Sequence, residues 1–207
     1  MSGSRNDWFP TPIWLFKVDN YEQLNQELLK AIYDEKKRDT PEESLRDRKG
    51  KQWSNILGWH SIDTLHQLTI FQSLSDIIYN NVIEVGTFLN WDLDKFKINI
   101  STCWAIINQK YAYNSIHNHP NSLLSGVYFL KTPLSCGGIY FSDPRPATQM
   151  IVPPVKDFNM WTLPKITYKP YEGMMLLFPS WLSHGVETNL SEEDRVCINF
   201  NLAMKPV

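Results

Sequence analysis

The chain has 207 residues, 43% of them hydrophobic and 20% charged, with 20 basic against 22 acidic side chains for a net charge of −2. That is enough chain for one well-filled core, and so even a balance leaves no electrostatic footprint for nucleic acid, which is not expected as a partner. No apolar run approaches the roughly 20 residues of a membrane span, and Cys103, Cys136 and Cys197, odd in number and without metal-type spacing, fit a reduced, cytoplasmic setting.

Residues 1–7 are polar and read as a frayed end. Residues 8–18 read as an extended strand opened by Pro10 and Pro12, and the missing amide donors suit a sheet edge. From 21 to 37, Leu24, Leu28 and Ile32 recur every fourth position, the stripe of an amphipathic helix. Asn20 is its expected cap, with Gln23 completing a capping box. Residues 39–52 read as a charged surface loop. The aromatic, amide and imidazole groups of 53–60 either border a pocket or pin two tryptophans into the core. Residues 61–89 carry near-helical periodicity, with His66 an ordinary helix residue and Gly86 weakening the end.

After Trp91 the texture changes. Strands are expected at 95–110, 122–131, 138–142, 165–169, 174–178 and 195–203, separated by turns rich in Pro, Gly, Asn and Ser. Residues 144–164 contain five prolines and read as a flap, with Met150, Phe158, Met160 and Trp161 available to close over a ligand. Helices first and then six or more strands without intervening helices favour a helical front packed on a β sandwich or barrel.

The chemistry concentrates in Ile116-His117-Asn118-His119-Pro120. Pro120 biases His119 towards extended backbone, and in an extended segment residues 117 and 119 point to one face. His184 follows the expected strand 174–178 and a Pro-Ser turn, and Arg195 opens the next strand, which an antiparallel hairpin would lay alongside. Three imidazoles converging on one point suit iron, zinc, copper or nickel. Arginine presents a planar fork to a carboxylate, although a solvated charge after Glu192-Glu193-Asp194 is the plainer reading of Arg195.

His117 to Pro120, Ser125 to Leu130, Gly137 to Arg145, Gly173 to Trp181, His184 and Arg195 to Asn201 together resemble the 2-oxoglutarate and Fe(II)-dependent oxygenase superfamily, in particular an oxygenase family of bacteria and marine phages. The resemblance covers about half the chain. It implies a mainly β fold with N-terminal helices (α+β), a cupin-like double-stranded β-helix or jelly roll with helices packed on one sheet and metal at the barrel mouth. The expected organisation is one domain over 1–207, with 1–92 a helical part and 93–207 the β-helix core, in a bacterial or phage-infected cell.

Carried over residue by residue, the resemblance makes His117 the first Fe(II) ligand and His184 the distal one. It sets His119 where the superfamily places a carboxylate. Asp143 or Glu187 is the substitute if a carboxylate is needed. Arg195 matches the residue that pairs with the far carboxylate of 2-oxoglutarate, and Tyr128 resembles a tyrosine that completes that pocket, with a core aromatic the other reading. Cys197 stands where a hydroxyl side chain is common, while Asn108, Asn199 and Asn201 are candidates to orient keto acid or substrate. The implied activity takes molecular oxygen and 2-oxoglutarate, hydroxylates an unidentified small molecule or protein, and yields succinate and CO2. The alternatives are a three-histidine cupin-like dioxygenase without 2-oxoglutarate and a non-catalytic metal-binding jelly roll. The exposed strand near Trp14 would suit a homodimer.

Overall fold

A computed structural model describes residues 3–39, 54–145, 150–151 and 153–207. Most of the loop expected at 39–52, together with Trp53 and residues 146–149 and 152 of the expected flap, lies outside them. Among the described residues, strand β1 (Trp14–Lys17) leads into helix α1 (Tyr21–Arg38), the two-residue strands β2 (Asn55–Ile56) and β3 (Trp59–His60), and helix α2 (Gln72–Phe88). Eight strands follow: β4 (Phe96–Asn108), β5 (Tyr113–His117), β6 (Leu124–Lys131), β7 (Ile139–Ser142), β8 (Lys165–Tyr168), β9 (Met174–Pro179), β10 (His184–Val186) and β11 (Arg195–Pro206). They form a six-stranded sheet of order β1-β9-β6-β11-β4-β3 and a five-stranded sheet of order β2-β5-β10-β7-β8. Every strand pairing is antiparallel. This is the expected jelly roll with helices on one sheet.

Period-two alternation sorts the six-stranded sheet into two faces. Val196, Ile198, Phe200 and Leu202 of β11 join Leu28 and Ile32 of α1 and Ile78, Val82 and Val85 of α2 in the outer core. Cys197 faces the other way, into a second core with Trp104, Ile106, Val127, Phe129, Phe141 and Phe178. Each fully buried large apolar side chain contributes about 1.5–3 kcal/mol, so the helices serve to cover the outer face and leave the inner face to the second sheet. No helix is long and apolar enough to cross a membrane among the described residues.

Three local expectations change. Asn20 sits at φ 49°, in the left-handed region, and makes no side-chain cap. A capping side chain needs its residue near the β region, and Gln23 bonds instead to Glu27 at 3.0 Å. The long helix expected from 61 begins only at Gln72, after two 3-10 turns at Leu65–Gln67 and Thr69–Phe71. Its leading residues are drawn into the sheet edge, where Ser61 N donates to Ala105 O and Cys103 N to Asp63 O, at 3.1 and 2.8 Å. Gly86 lies in the last turn of this helix, which ends at Phe88, and a Cβ there would press on Trp91 and Leu93, so the glycine lets the following turn pack closely. Finally, the strands flanking His184 do not form a hairpin with the strand of Arg195. β10 lies in the small sheet and β11 in the large one between β6 and β4, because the jelly roll sends successive strands to opposite sheets.

Candidate metal and keto-acid site

His117 ends β5 and His184 begins β10, and the two are direct cross-strand partners. His119 lies two residues beyond the strand, where its amide donates to Ser180 O at 2.9 Å, so the turn after β9 fixes the loop that carries it. The possible ligand atoms of the three imidazoles all lie within 4.8 Å of one another. His119 Nε2 and His184 Nε2 are 3.3 Å apart. Two nitrogens bound at about 2 Å to one ion at a right angle stand about 3 Å apart, so the spacing fits a shared metal.

The backbone sets the tautomers. His117 Nδ1 is 2.8 Å from Ser115 O, and His184 Nδ1 is 2.8 Å from Leu182 O. A carbonyl accepts only from N–H, so each Nδ1 carries the proton and each Nε2 offers its lone pair to the cluster, the outer-shell arrangement typical of metal-binding histidine. Burial lowers the pKa of His117. Burial first, then the neighbouring His117, pushes His119 down to about 4 and His184 to about 3. At neutral pH the cluster is three uncharged imidazoles, the form that ligates.

A pH dependence follows for the metal-free protein. The ordinary histidine value is 6.5, and in the fold His119 and His184 lie near 4 and 3, so below 6.5 the unfolded chain binds more protons than the folded one. Stability is complete above about 6.5 and is lost as pH falls towards about 3. Urea midpoints measured across this window should fall with acidification, and His184→Gln should flatten the slope.

Arg195 stands opposite Asn108 on β4 and is 2% exposed. Its Nη1 donates to the carbonyls of Cys136, Gly137 and Glu187, and burial lowers its pKa without removing a charge that arginine keeps in proteins. The plainer reading of Arg195 as a solvated charge is overturned. Arg195, Cys197, Asn199 and Asn201 follow one another along the inner face of β11 and line, with the three histidines, a cavity of about 710 Å³. Its size is that of a small-molecule site.

Other candidates fall differently. Tyr128 is a correction. It pairs with Ile198 rather than Asn199 and so shares the outer face, where its hydroxyl donates to Asn25 Oδ1 at 2.6 Å. It ties α1 to the sheet and does not line the cavity. Tyr128→Phe should therefore cost about 1–3 kcal/mol by leaving Asn25 Oδ1 unpaired while leaving 2-oxoglutarate binding unchanged, as urea denaturation and a binding titration would read. Asn108 is 1% exposed, with Nδ2 3.4 Å from Asn114 Oδ1 and its own Oδ1 without a partner among the described residues. It lies behind Asn55 and Asn114, which do line the cavity.

Neither carboxylate substitute joins the histidines. Asp143 takes the amide and guanidinium of Arg145 at 2.5–3.2 Å, and Glu187 accepts Gly138 N at 3.0 Å. Among the described residues the cluster contains histidine alone. Of the expected flap, Met150, Phe158 and Met160 are exposed, and none of its described residues lines the cavity. Sequence reasoning underweighted the 54–60 stretch, where Ser54, Asn55 and His60 do border the cavity. It also missed Trp104, which packs against His119 with ring centroids 5.8 Å apart. The alternation of β4 held that signal, since Trp104 shares a face with Ile106.

A family model described as "Putative 2OG-Fe(II) oxygenase" matches residues 102–201, the span from β4 to β11 that holds all three histidines and Arg195. No curated protein matches the chain by sequence. Among solved structures, a Pseudomonas putida prolyl-4-hydroxylase is similar with a TM-score of 0.61 at 10% identity, covering 92% of each chain. HygX from Streptomyces hygroscopicus, solved with nickel and 2-oxoglutarate bound, has a TM-score of 0.60 at 12% identity, covering 93% of this chain and 83% of its own. A Trichoplax adhaerens prolyl hydroxylase in complex with a hypoxia inducible factor peptide has 0.61 at 12%, covering 92% and 82%. At these identities the structures establish the shared fold.

Proposed function

We propose that this chain is a 2-oxoglutarate- and Fe(II)-dependent oxygenase in which His117, His119 and His184 hold one iron ion beside a keto acid anchored by Arg195. The proposed reaction is hydroxylation: 2-oxoglutarate, O2 and a substrate C–H give succinate, CO2 and a substrate C–OH, one oxygen atom going to succinate and one to the product. The observation that carries this is the convergence of three neutral imidazoles, Nε2 inward, in the cavity that Arg195 also lines. Bound iron supplies the oxygen chemistry.

The chain's own residues do the rest. Ser115 and Leu182 carbonyls hold two of the imidazoles in the ligating tautomer. Three carbonyls clamp Nη1 of Arg195, and none of these bonds uses Nε or Nη2, the edge of the fork left for the far carboxylate. Cys197, on the same face two residues along, offers a thiol there in place of a hydroxyl, a weaker hydrogen-bond donor. Phe129, Phe178 and Ile106 give the surrounding wall an apolar, water-excluding character. HygX, whose structure holds 2-oxoglutarate, supports the co-substrate assignment.

One observation favours a second reading. A cluster without a carboxylate leaves a divalent ion its full charge, as in a three-histidine dioxygenase that consumes O2 without a keto acid. Incubating the Fe(II) protein with 2-oxoglutarate separates them. Succinate formation that Arg195→Lys diminishes is the expected result; oxygen uptake indifferent to 2-oxoglutarate would favour the second reading.

A further inference from the structure

Six exposed apolar side chains gather where the loops around Arg195 reach the surface. Ile56 of β2 and Tyr113 of β5 are cross-strand partners, with Leu57 following the one and Tyr111 just preceding the other. Backbone bonds carry the patch further. Tyr111 N donates to Asn189 O at 2.7 Å and Leu190 N to Ser135 O at 3.0 Å, which brings Leu190 and Leu134 alongside. Exposure runs from 36% at Ile56 to 82% at Leu134. Cys136 and Gly137, whose carbonyls hold Arg195, directly follow this loop.

The backbone is held in a costly form to present these groups. Leu57, Tyr111 and Ser135 have φ of 62°, 69° and 65°, in the left-handed region that non-glycine residues seldom enter. Such conformations persist where the surroundings or a function require them. Two of these three residues keep large apolar side chains in water, which folding of a single chain does not reward.

Area and charge indicate what covers the patch. At their exposures the six side chains present on the order of 600 Å², at the top of the range for the largest patch on a monomer and not far below the roughly 800 Å² each partner gives to a standard interface. The rim carries both signs. Lys110, set over the Tyr111 ring at 5.2 Å, pairs with Glu192, and Lys131 pairs with Glu193 at 2.9 Å. Both glutamates are largely exposed. A surface with both signs fits a second copy of itself about a two-fold axis, where each lysine can face the other copy's glutamate. The net charge of −2 leaves little repulsion between copies.

We infer that two copies of this chain associate through this patch as a two-fold symmetric dimer. The free edge of β1 is the poorer surface: Pro10 and Pro12 lead into it and Lys17 ends it, devices that keep sheet edges from pairing.

Sedimentation velocity of the full chain over a concentration series tests this. The expected result is a reversible dimer of twice the 24.2 kDa chain mass, with a Kd on the order of micromolar for an interface of this size. The double variant Leu134→Glu, Leu190→Glu should raise that Kd by more than about 100-fold, because the two-fold axis puts four new carboxylates into one apolar contact. Leu15→Glu on β1 should leave it within about two-fold. All three positions are exposed, so circular dichroism should show an unchanged fold. A chain monomeric at every concentration, whatever else covers the patch, would overturn the inference. So would a dimer that survives the double variant, or one that Leu15→Glu breaks. The measurement needs neither metal nor keto acid, so its outcome is independent of the proposed reaction.

Discussion

Replacing His184 with alanine is expected to weaken Fe(II) binding by more than about 100-fold and to abolish succinate formation at any practical iron concentration. Loss of an outer-shell partner alone typically costs 10–100-fold, and His184 is more than that. It is 3% exposed, its Nδ1 is committed to Leu182 O, and its Nε2 faces His119 Nε2. Equilibrium metal titration of the variant, with circular dichroism to show retained fold, measures the effect. Affinity within a few-fold of the wild type would remove His184 from the metal site.

Arg195→Ala should show two losses that Arg195→Lys separates. The guanidinium bonds to three backbone carbonyls, and leaving such buried acceptors unpaired costs about 1–3 kcal/mol each, so a total near 3 kcal/mol is expected in urea denaturation once some relaxation is allowed. Removing a buried partner of the keto-acid carboxylate should cost a further 2–5 kcal/mol in binding, roughly 30-fold or more in Kd. Lysine keeps the positive charge but not the planar fork. It should recover part of the 2-oxoglutarate affinity and little of the fold stability. If alanine changes stability alone, Arg195 is a structural clamp between β11 and the loop before β7, and the keto acid lies elsewhere.

What was legible in the sequence was local. The four-residue stripe of Leu24, Leu28 and Ile32 gave α1 to within a residue, and the alternation from Phe96 onward gave β4. His-x-His and the later His184 gave the histidine cluster because only three histidines beyond His60 and His66 exist to supply it. What failed was parity and pairing. Tyr128 and Val127 are neighbours in one strand, yet only Val127 faces the cavity, and that choice is made by β11, where Val127 meets Asn199 and Tyr128 meets Ile198. Likewise, nothing near His184 says that β10 pairs with β5 and β7 while β11 returns to the opposite sheet. Strand partnership is a long-range property decided by which faces bury best together. Asn20 failed for a different reason: a residue suited to capping was used for its tolerance of positive φ, a choice that residue type alone does not reveal.

His119 is the decisive residue, because the sequence resemblance sets it at the position of a carboxylate. A crystal structure of the protein soaked with Mn(II) and 2-oxoglutarate tests it directly. The predicted result is one ion bound by the Nε2 atoms of His117, His119 and His184, with the keto acid reaching from the ion to Arg195. An ion held by Asp143 or another carboxylate in place of His119, or a keto acid that does not touch Arg195, would contradict it.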